Sequence, residues 1–299
     1  MWTTQKENPL TTTGRIISFH SNFAIVKDDR KDLETLCTLR GRFKLSKTKP
    51  MVGDHVEYMI VGDRGRIESI FPRTITLKKP RVANIDTVVV VVSVSSPDVQ
   101  YSTIDRIIAA VALSKVEIVL VLNKLDITSD EKIKSFKRVY SPYVTVFTST
   151  VTGEGIEELK GKLKGRIAVF AGPSGVGKSS LLNTISSSNL RTGRISKATN
   201  MGRHTTSSAS LLELEEGGFV VDTPGFITVD FKESTPSEVQ ELFPEIRSAS
   251  MMCAFDDCVH DAEPGCYVKE LVKSGKIPKS RYKSYLEILK EVRTSNDLN

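Results

Sequence analysis

Long apolar runs are missing from this sequence, and so is a hydrophobic leader. No window reaches the roughly 18 uninterrupted apolar residues that a membrane-spanning helix needs. The longest apolar stretches, around Val88–Val94 and Ile118–Leu122, have the length of strands. Residues 1–8 are polar and lack the apolar core of a secretory signal. We therefore expect a cytoplasmic protein that has no membrane partner.

Cysteine is also scarce, and its placement indicates a metal site rather than disulfides. The chain has 4 cysteines, and three of them lie with one histidine within residues 253–266. Without an export signal, such crowding favours metal binding. Three thiolates and one imidazole complete the tetrahedral shell of a structural zinc ion, so we expect one Zn²⁺ per chain. Its ligands would be Cys253, Cys258, His260 and Cys266. The alternative is a group of small buried side chains beside a helical histidine.

The net charge of +6 is concentrated at the two ends of the chain. Residues 1–80 hold 15 Lys and Arg against 9 Asp and Glu, residues 267–299 hold 8 against 4, and the middle is slightly acidic. Basic ends suit a partner with a phosphate backbone. The alternative is a solvated surface with a chance surplus of cations. With 39% apolar residues the chain can bury real cores, which excludes global disorder.

The first part of the chain predicts a small β-barrel after a flexible tail at residues 1–13. Residues 14–72 contain five strand-length segments separated by Gly, Asp, Asn or Lys-Pro turn signals. Such a series suits an oligonucleotide-binding (OB) barrel, and an SH3-like barrel fits the same pattern. Cys37 is expected to pack in this barrel, and His20 and His55 to be ordinary barrel residues.

Residues 73–232 predict an α/β domain with a mostly parallel sheet and helices on both faces, because buried strands alternate with helical segments. The predicted strands are 87–94, 117–122, 144–147, 167–171, 209–214 and 219–221, and the predicted helices are 102–113, 131–139, 155–163 and 178–187. Residues 233–299 predict a small helical domain around the cysteine cluster, ending in a helix at Arg281–Val292.

A phosphate-binding loop follows the predicted strand Ile167–Ala171. The segment Gly172-Pro-Ser-Gly-Val-Gly-Lys178-Ser179 fits G-x-x-x-x-G-K-[ST] and opens a helix. Glycines let backbone N–H groups wrap a polyphosphate, and the helix N-terminus adds partial positive charge. Lys178 is expected to contact the β- and γ-phosphates and Ser179 to bind Mg²⁺. The expected binding residues are Gly172, Pro173, Ser174, Gly175, Val176, Gly177, Lys178, Ser179 and Ser180.

Two further motifs point to a guanine nucleotide. Asn123-Lys124-Leu125-Asp126 ends a buried strand, and its last carboxylate can accept hydrogen bonds from guanine N1–H and N2–H₂, which adenine does not offer. Asp222-Thr-Pro-Gly225 also ends a strand; Asp222 can support Mg²⁺, and Gly225 can sense the γ-phosphate. Thr148–Thr150 lies where a second base-contacting loop is expected, as a loose match to the usual Ser-Ala-Lys.

The order of these motifs predicts a circularly permuted GTPase domain. The guanine motif comes first, the phosphate loop second and the Asp222 motif third, whereas ordinary GTPases place the guanine motif last. A parallel sheet keeps its strand neighbours when the chain is cut and rejoined, because termini are often close together. The segment after Asp222 then continues directly into the cysteine region.

The first switch is expected at Gly202-Arg-His-Thr-Thr206, between the phosphate loop and Asp222. Thr205 or Thr206 can close over Mg²⁺ and the γ-phosphate. Phe226 stands where Ras-like enzymes carry a water-orienting Gln, which leaves His204 as the nearest polar group for that task. The alternative for His204 is a surface histidine in a mobile loop. With Lys178, these residues form the expected catalytic set.

These residues together resemble the ribosome small subunit-dependent GTPase A (RsgA, also YjeQ or YloQ) family over nearly the whole chain after residue 14. The resemblance rests on the motifs above together with Arg40-Gly-Arg, Val52-Gly-Asp54, Phe71-Pro-Arg73 and the Cys-Cys-His-Cys set. It implies an OB barrel, a permuted GTPase and a zinc domain, and it assigns a proposed catalytic histidine to His204. It also implies slow GTP hydrolysis that the small ribosomal subunit stimulates.

The sequence therefore predicts a monomeric GTPase that uses GTP, Mg²⁺ and Zn²⁺. The resemblance implies that its partners are the small ribosomal subunit with its rRNA, whose late maturation it assists, and an assembly factor that it helps to release. Barrel cations at Arg40, Arg42, Lys44, Lys47 and Lys49 and the C-terminal lysines are expected to touch rRNA. The alternatives are an RNA-binding module with a structural nucleotide site and an ATP-dependent phosphotransferase.

Overall fold

The computed structural model describes residues 11–20, 22–41, 43, 49–77, 80–186, 209–222 and 231–296. These residues form two compact units. The first comprises the described parts of 1–86, 164–169 and 186–225, and the second those of 87–163, 170–185 and 226–299. None of the described helices is long and apolar enough to cross a bilayer.

The N-terminal part of the first unit is a closed barrel of five strands. They are β1 (Thr11–His20), β2 (Phe23–Asp28), β3 (Glu34–Leu39), β4 (His55–Val61) and β5 (Arg64–Ile70). The ring runs β1-β2-β3-β5-β4 and returns to β1, and only the β3–β5 pair is parallel. This order is that of an OB barrel, which decides between the two barrels that the sequence left open.

The barrel core follows from alternation along its strands. In β2 every second side chain is buried, as expected for a strand with one face toward a core. Gly14 of β1 lies opposite Asp28, the last residue of β2, and a Cβ there would come within 2.4 Å of the Lys27 carbonyl oxygen. The buried core consists of Ile16, Ala24, Val26, Cys37, Val56, Tyr58 and Ile67. Cys37 is thus a packing residue, as predicted.

A short hairpin that the sequence does not predict follows the barrel. It pairs β6 (Thr76–Leu77) with β7 (Val82–Ala83). Before it, Arg73 donates from Nε and a terminal guanidinium nitrogen to the fully buried Asp54, over 2.6 and 2.8 Å. The segment between the barrel and this hairpin is therefore fixed by an ion pair to a buried carboxylate.

The second unit opens with a three-stranded parallel sheet. Its elements in chain order are β8 (Thr87–Val92), α1 (Tyr101–Leu113), β9 (Glu117–Asn123), a 3₁₀ turn (Leu125–Ile127), α2 (Asp130–Val139), β10 (Thr145–Thr148) and α3 (Ile156–Leu163). Strand β9 pairs with both β8 and β10. All six side chains of β8 are buried, as its continuous apolar sequence predicts.

The next elements are β11 (Ile167–Ala171), α4 (Lys178–Ile185), β12 (Ser210–Glu213) and β13 (Phe219–Asp222). In the first unit, β13 pairs in parallel with residues 167–169 of β11 and antiparallel with β12. Strand β12 also meets the barrel strand β1 at the Ser18–Ser210 pair, and Lys27 forms a 2.9 Å ion pair with Glu213. The pairs β8–β9, β9–β10 and β11–β13 are thus parallel, as predicted, and β12 is an antiparallel member.

The C-terminal residues of the second unit are helical. They form α5 (Pro236–Glu241), α6 (Pro244–Ser250), α7 (Tyr267–Lys273) and α8 (Lys279–Asn296). A capping box between Thr235 and Glu238 starts α5. Helix α8 packs against α1 and α5, and it is longer at both ends than the predicted 281–292.

One arginine at the centre of these helices is completely buried. Arg281 pairs with Asp105 of α1 over 2.8 Å and with Glu245 of α6 over 2.6 Å, and it donates to the Tyr143 hydroxyl over 2.9 Å. Its guanidinium lies 4.6 Å from the centre of the Phe243 ring. This network joins the C-terminal helices to the sheet-bearing part of the unit.

Candidate functional site

The phosphate loop leaves β11 at Ala171 and enters α4 at Lys178, which is the context that its motif requires. Gly172, Gly175 and Gly177 have positive φ angles of 140°, 80° and 98°. A Cβ at Gly172 would lie 2.0 Å from the Val91 carbonyl oxygen. The loop conformation therefore depends on glycine, and it turns the backbone directly into a helix N-terminus.

The Lys178 ammonium group folds back over this loop. Its Nζ donates to the carbonyl oxygens of Gly172 and Pro173 over 2.7 and 2.6 Å. Burial lowers the pKa of Lys178 from its ordinary value. Ser179 and Ser180 are exposed in the first turn of α4, so their hydroxyls are accessible to a ligand or cation.

Asn123 connects the guanine motif to the phosphate loop. Its buried side chain lies at the end of β9, donates from Nδ2 to the Val176 carbonyl oxygen over 2.9 Å, and accepts from the Thr148 hydroxyl over 2.9 Å. A Cβ at Gly177 would come within 2.3 Å of the same Nδ2. The two motifs are therefore held in one rigid frame.

The loop at Thr148–Thr150 lies beside the guanine motif, where the sequence expects a base-contacting loop. The Ser149 hydroxyl donates to Asp126 Oδ1 over 2.6 Å and accepts from the backbone N–H groups of Val151 and Thr152. Asp126 is exposed, so a base can approach its carboxylate. Ser149 belongs to the expected loop, but the loose sequence match did not predict its contact with Asp126. Lys124 has a left-handed φ of 68° and donates to the Ser96 carbonyl oxygen over 2.5 Å.

The remaining expected nucleotide residues are only partly described. Asp222 is the last residue of β13. Gly225 and the switch residues His204, Thr205 and Thr206 lie outside the described residues. The same holds for Arg42, Lys44 and Lys47 of the barrel, whereas Arg40 is described and pairs with Glu68 over 2.7 Å.

The predicted metal ligands come together in one cluster. The sulfur atoms of Cys253, Cys258 and Cys266 lie 3.5, 3.3 and 3.4 Å from His260 Nδ1, and all four ligand atoms lie within 4.8 Å of one another. A tetrahedral zinc site has sulfur–nitrogen edges of about 3.6 Å and sulfur–sulfur edges of about 3.8 Å, from its bond lengths. The donor set and its spacing therefore fit a four-coordinate structural zinc ion.

A glutamine that the sequence did not single out orients this cluster. His260 Nε2 lies 2.9 Å from Gln240 Oε1, and Gln240 Nε2 donates to the Ser250 hydroxyl over 2.9 Å. The Ser250 hydroxyl donates to the Arg247 carbonyl oxygen over 2.8 Å and therefore accepts from the amide nitrogen of Gln240. This leaves Oε1 facing the ring, so His260 donates from Nε2 and presents Nδ1 to the sulfurs. Such partners set the tautomer of a ligating histidine. No sequence motif marks Gln240, because its role depends on the packing of α5.

Burial raises the pKa of the Cys258 thiol and of the Cys266 thiol, and it lowers the pKa of His260. Burial alone thus disfavours thiolates here. A cation that binds all three sulfurs reverses that preference, because metal coordination requires the deprotonated thiol.

Comparison with known proteins agrees with this arrangement. Residues 70–232 match the RsgA GTPase family, and residues 13–67 match the RsgA N-terminal domain. The small ribosomal subunit biogenesis GTPase RsgA of Thermotoga neapolitana is 44% identical over 95% of this chain and 97% of that protein. RsgA of Moorella thermoacetica is 44% identical over 86% of this chain and 89% of that protein.

Two solved structures have the same fold. YjeQ from Thermotoga maritima superposes with a TM-score of 0.80 at 40% identity, covering 95% of this chain and 99% of that one. YloQ, described as a circularly permuted GTPase, superposes with a TM-score of 0.81 at 30% identity. The match covers 97% of this chain and 98% of that one. The guanine motif, phosphate loop and Asp222 follow one another here in that permuted order. The chain belongs to the RsgA family of circularly permuted GTPases.

Proposed function

We propose that this GTPase acts on the small ribosomal subunit and assists its late maturation. In this proposal the subunit stimulates GTP hydrolysis, and hydrolysis is coupled to the release of an assembly factor. The observation that carries the nucleotide part is the bond from Asn123 to the Val176 carbonyl oxygen, which fixes the guanine motif on the phosphate loop. The relatives' names and the basic ends of the chain support the ribosomal part.

The proposed phosphate chemistry uses residues of the phosphate loop, the Asp222 motif and the first switch. Lys178 would exchange its two loop carbonyls for β- and γ-phosphate oxygens, and the loop N–H groups would hold the rest of the polyphosphate. Ser179 and Asp222 would hold Mg²⁺, which supplies positive charge against the phosphates. Asp222 ends a strand that runs parallel to the start of β11. Thr205 or Thr206 would close the site, and His204 would orient the attacking water.

Guanine selection is proposed to depend on Asp126 and on the side chain that orients it. Ser149 occupies one carboxylate oxygen of Asp126 with a short hydrogen bond, which fixes the plane of the carboxylate. Guanine N1–H and N2–H₂ would donate to that carboxylate, whereas adenine would leave it unpaired.

Each proposed domain has a distinct task. The barrel, whose first strand begins at Thr11 and so includes the last three residues of the expected tail, would contact rRNA through its cations. Residues 73–232 would bind and hydrolyse GTP, and residues 233–299 would form the zinc-stabilised domain, whose lysines would also contact rRNA. One zinc ion would bind the Cys253 cluster. We propose that the protein works as a monomer in the cytoplasm, where the subunit is assembled.

The decisive experiment measures GTP hydrolysis with and without purified small subunits. Turnover should rise on adding subunits, and Lys178→Ala should lower it by at least about 100-fold, because the phosphate charge is no longer neutralised. Lys164→Ala, which removes an exposed lysine just before β11, is the matched control and should keep wild-type turnover. Wild-type turnover in Lys178→Ala would refute the phosphate-loop assignment. Turnover that subunits leave unchanged would refute the ribosomal role.

Nucleotide selectivity tests the base pocket separately. Asp126→Asn should shift binding toward xanthosine triphosphate, because the amide offers a donor where guanine needs an acceptor. A preference for ATP over GTP in the wild-type protein would instead favour the phosphotransferase. Tight nucleotide binding without subunit-stimulated turnover would favour an RNA-binding module with a structural nucleotide.

A further inference from the structure

Three large apolar side chains are exposed in the chain segment that contains Cys253. Met251, Met252 and Phe255 are 82%, 68% and 48% exposed. With Asp256 and Asp257 they form a segment that we call the tip (residues 251–257). The other large apolar side chains exposed in the described chain stand alone in the sequence or, at Ile60 and Val61, as one pair. Single exposed apolar residues need no explanation, whereas three such residues within five positions point to an interaction surface.

The tip is held in place, so its exposure is not the fraying of a loose end. The Met252 and Cys253 N–H groups donate to the carbonyl oxygens of Ala249 and Ser250 over 3.1 and 3.0 Å, which ends α6. Ser250 is fixed by Gln240, which also orients His260. Cys253 lies between the exposed methionines and Phe255 and points into the cluster. The fold therefore presents these side chains to solvent on a rigid frame.

The charge of the tip selects the class of partner. Residues 251–266 contain four acidic residues and no Lys or Arg. Two of the four are engaged: Asp261 pairs with Arg293 over 2.7 Å, and Glu263 accepts backbone N–H bonds. Asp256 and Asp257 are exposed on the tip itself. Two carboxylates beside the contact surface oppose RNA phosphates and attract a cationic surface. Methionine and phenylalanine are enriched in the buried centres of protein interfaces.

We propose that the tip docks on a basic, partly apolar protein surface of the small ribosomal subunit, not on RNA. The choice of the subunit rests on the proposed function. The methionines and Phe255 fill an apolar depression, and Asp256 and Asp257 pair with cations at its rim. The tip thus differs from the basic ends of the chain, whose expected partner is phosphate.

Paired variants test this by the sign of the effect. Met251→Ser with Met252→Ser should weaken co-sedimentation with small subunits about tenfold, because two apolar contacts are lost. Met251→Leu with Met252→Leu is the matched control and should bind like wild type. Asp256→Lys with Asp257→Lys should also weaken binding. If the partner were RNA phosphate, that charge reversal would instead tighten binding and steepen its salt dependence.

A photo-crosslinker in place of Met251 identifies the contact directly. It should give crosslinks to subunit protein, and crosslinks to rRNA would overturn the proposal. Each variant is compared at equal zinc content and equal basal GTPase rate, so that misfolding is recognised. Subunit binding that all tip variants leave unchanged would overturn the tip proposal and leave the proposed function standing. Wild-type protein that fails to bind subunits would overturn both.

Discussion

The barrel and the C-terminal helices are two small regions that reach stability by different means. The barrel closes its strand hydrogen bonds into a ring around seven buried core residues. The C-terminal helices are short except for α8, and they enclose a cluster of metal ligands and a buried arginine. The barrel relies mainly on buried apolar area, which needs no bound ion. The helices rely on polar groups that stabilise only when every partner is present.

Breaking the metal cluster should have the largest effect and should leave the barrel unchanged. Cys258→Ser, or a strong chelator, should remove the zinc ion and raise hydrogen exchange throughout residues 250–275, because structural zinc supplies folding free energy outright. Hydrogen-exchange mass spectrometry on the full chain, with metal analysis, measures both regions at once. Cys37→Ser is the control within the barrel and should keep the zinc content. Exchange that rises equally in the barrel would show that the two regions do not differ in this way.

Removing the buried arginine should have the second largest effect. Arg281→Met should destabilise the second unit by about 3–5 kcal/mol, because it leaves the buried Asp105 without its cation. Asp105 Oδ2 already has no hydrogen-bond partner within the described residues. Denaturant unfolding followed by hydrogen exchange measures the loss.

Two further variants sharpen this measurement. Arg106→Met removes a half-exposed arginine that pairs with Glu291, and it should cost less than about 1 kcal/mol. Adding Asp105→Leu to Arg281→Met should recover part of the loss, since the uncompensated charge is then gone. If Arg281→Met lowers the free energy of unfolding no more than Arg106→Met does, burial does not strengthen the contribution of the Arg281 ion pair.

The smallest expected effect concerns the barrel, where one buried carboxylate adds a pH dependence. Burial opposes ionisation of Asp28, but hydrogen bonds from the Arg30 N–H and from the Tyr58 and Thr12 hydroxyls outweigh it and lower its pKa. A lowered pKa in the folded state stabilises the barrel above the ordinary aspartate pKa, and this contribution is lost as the pH falls through the folded value. Asp28→Asn should therefore flatten the decline in barrel stability between about pH 5 and pH 2. Hydrogen exchange across that pH range would show an unchanged decline if Asp28 were not its source.

The sequence predicted most of what depends on local pattern. The buried strands β8, β9 and β11 and the loop to Lys178 agree with their apolar runs and glycine spacing, because those signals lie within a few neighbouring residues. The β6–β7 hairpin was not predicted, because two-residue strands leave no periodicity to detect. The burial of Arg281 was also not predicted, since a lone cation in a polar helix indicates an exposed side chain. Its partners come from α1 and α6, which are distant in sequence.

The site was predictable in the same uneven way. The four residues of the cysteine cluster were predicted to come together because their chemistry is visible in 14 residues of sequence. Gln240 was missed, since an amide that touches a ligand from another helix has no motif. Ser149 was expected only as part of a loosely matching loop, and its bond to Asp126 depends on how β10 lies beside β9. Local sequence patterns therefore do not predict contacts between segments that are distant in the chain.

The permuted order also determines when each motif emerges during protein synthesis. The barrel strands leave the translating ribosome first, then the guanine motif, and only later the phosphate loop and Asp222. Asp126 and Asp222 are separated by 96 residues, which at roughly 5–20 residues per second is roughly 5 to 20 s of elongation. A GTPase in the ordinary order exposes its phosphate loop to cellular nucleotide from the start. In this chain the nascent polypeptide carries a folded barrel well before its nucleotide site is complete.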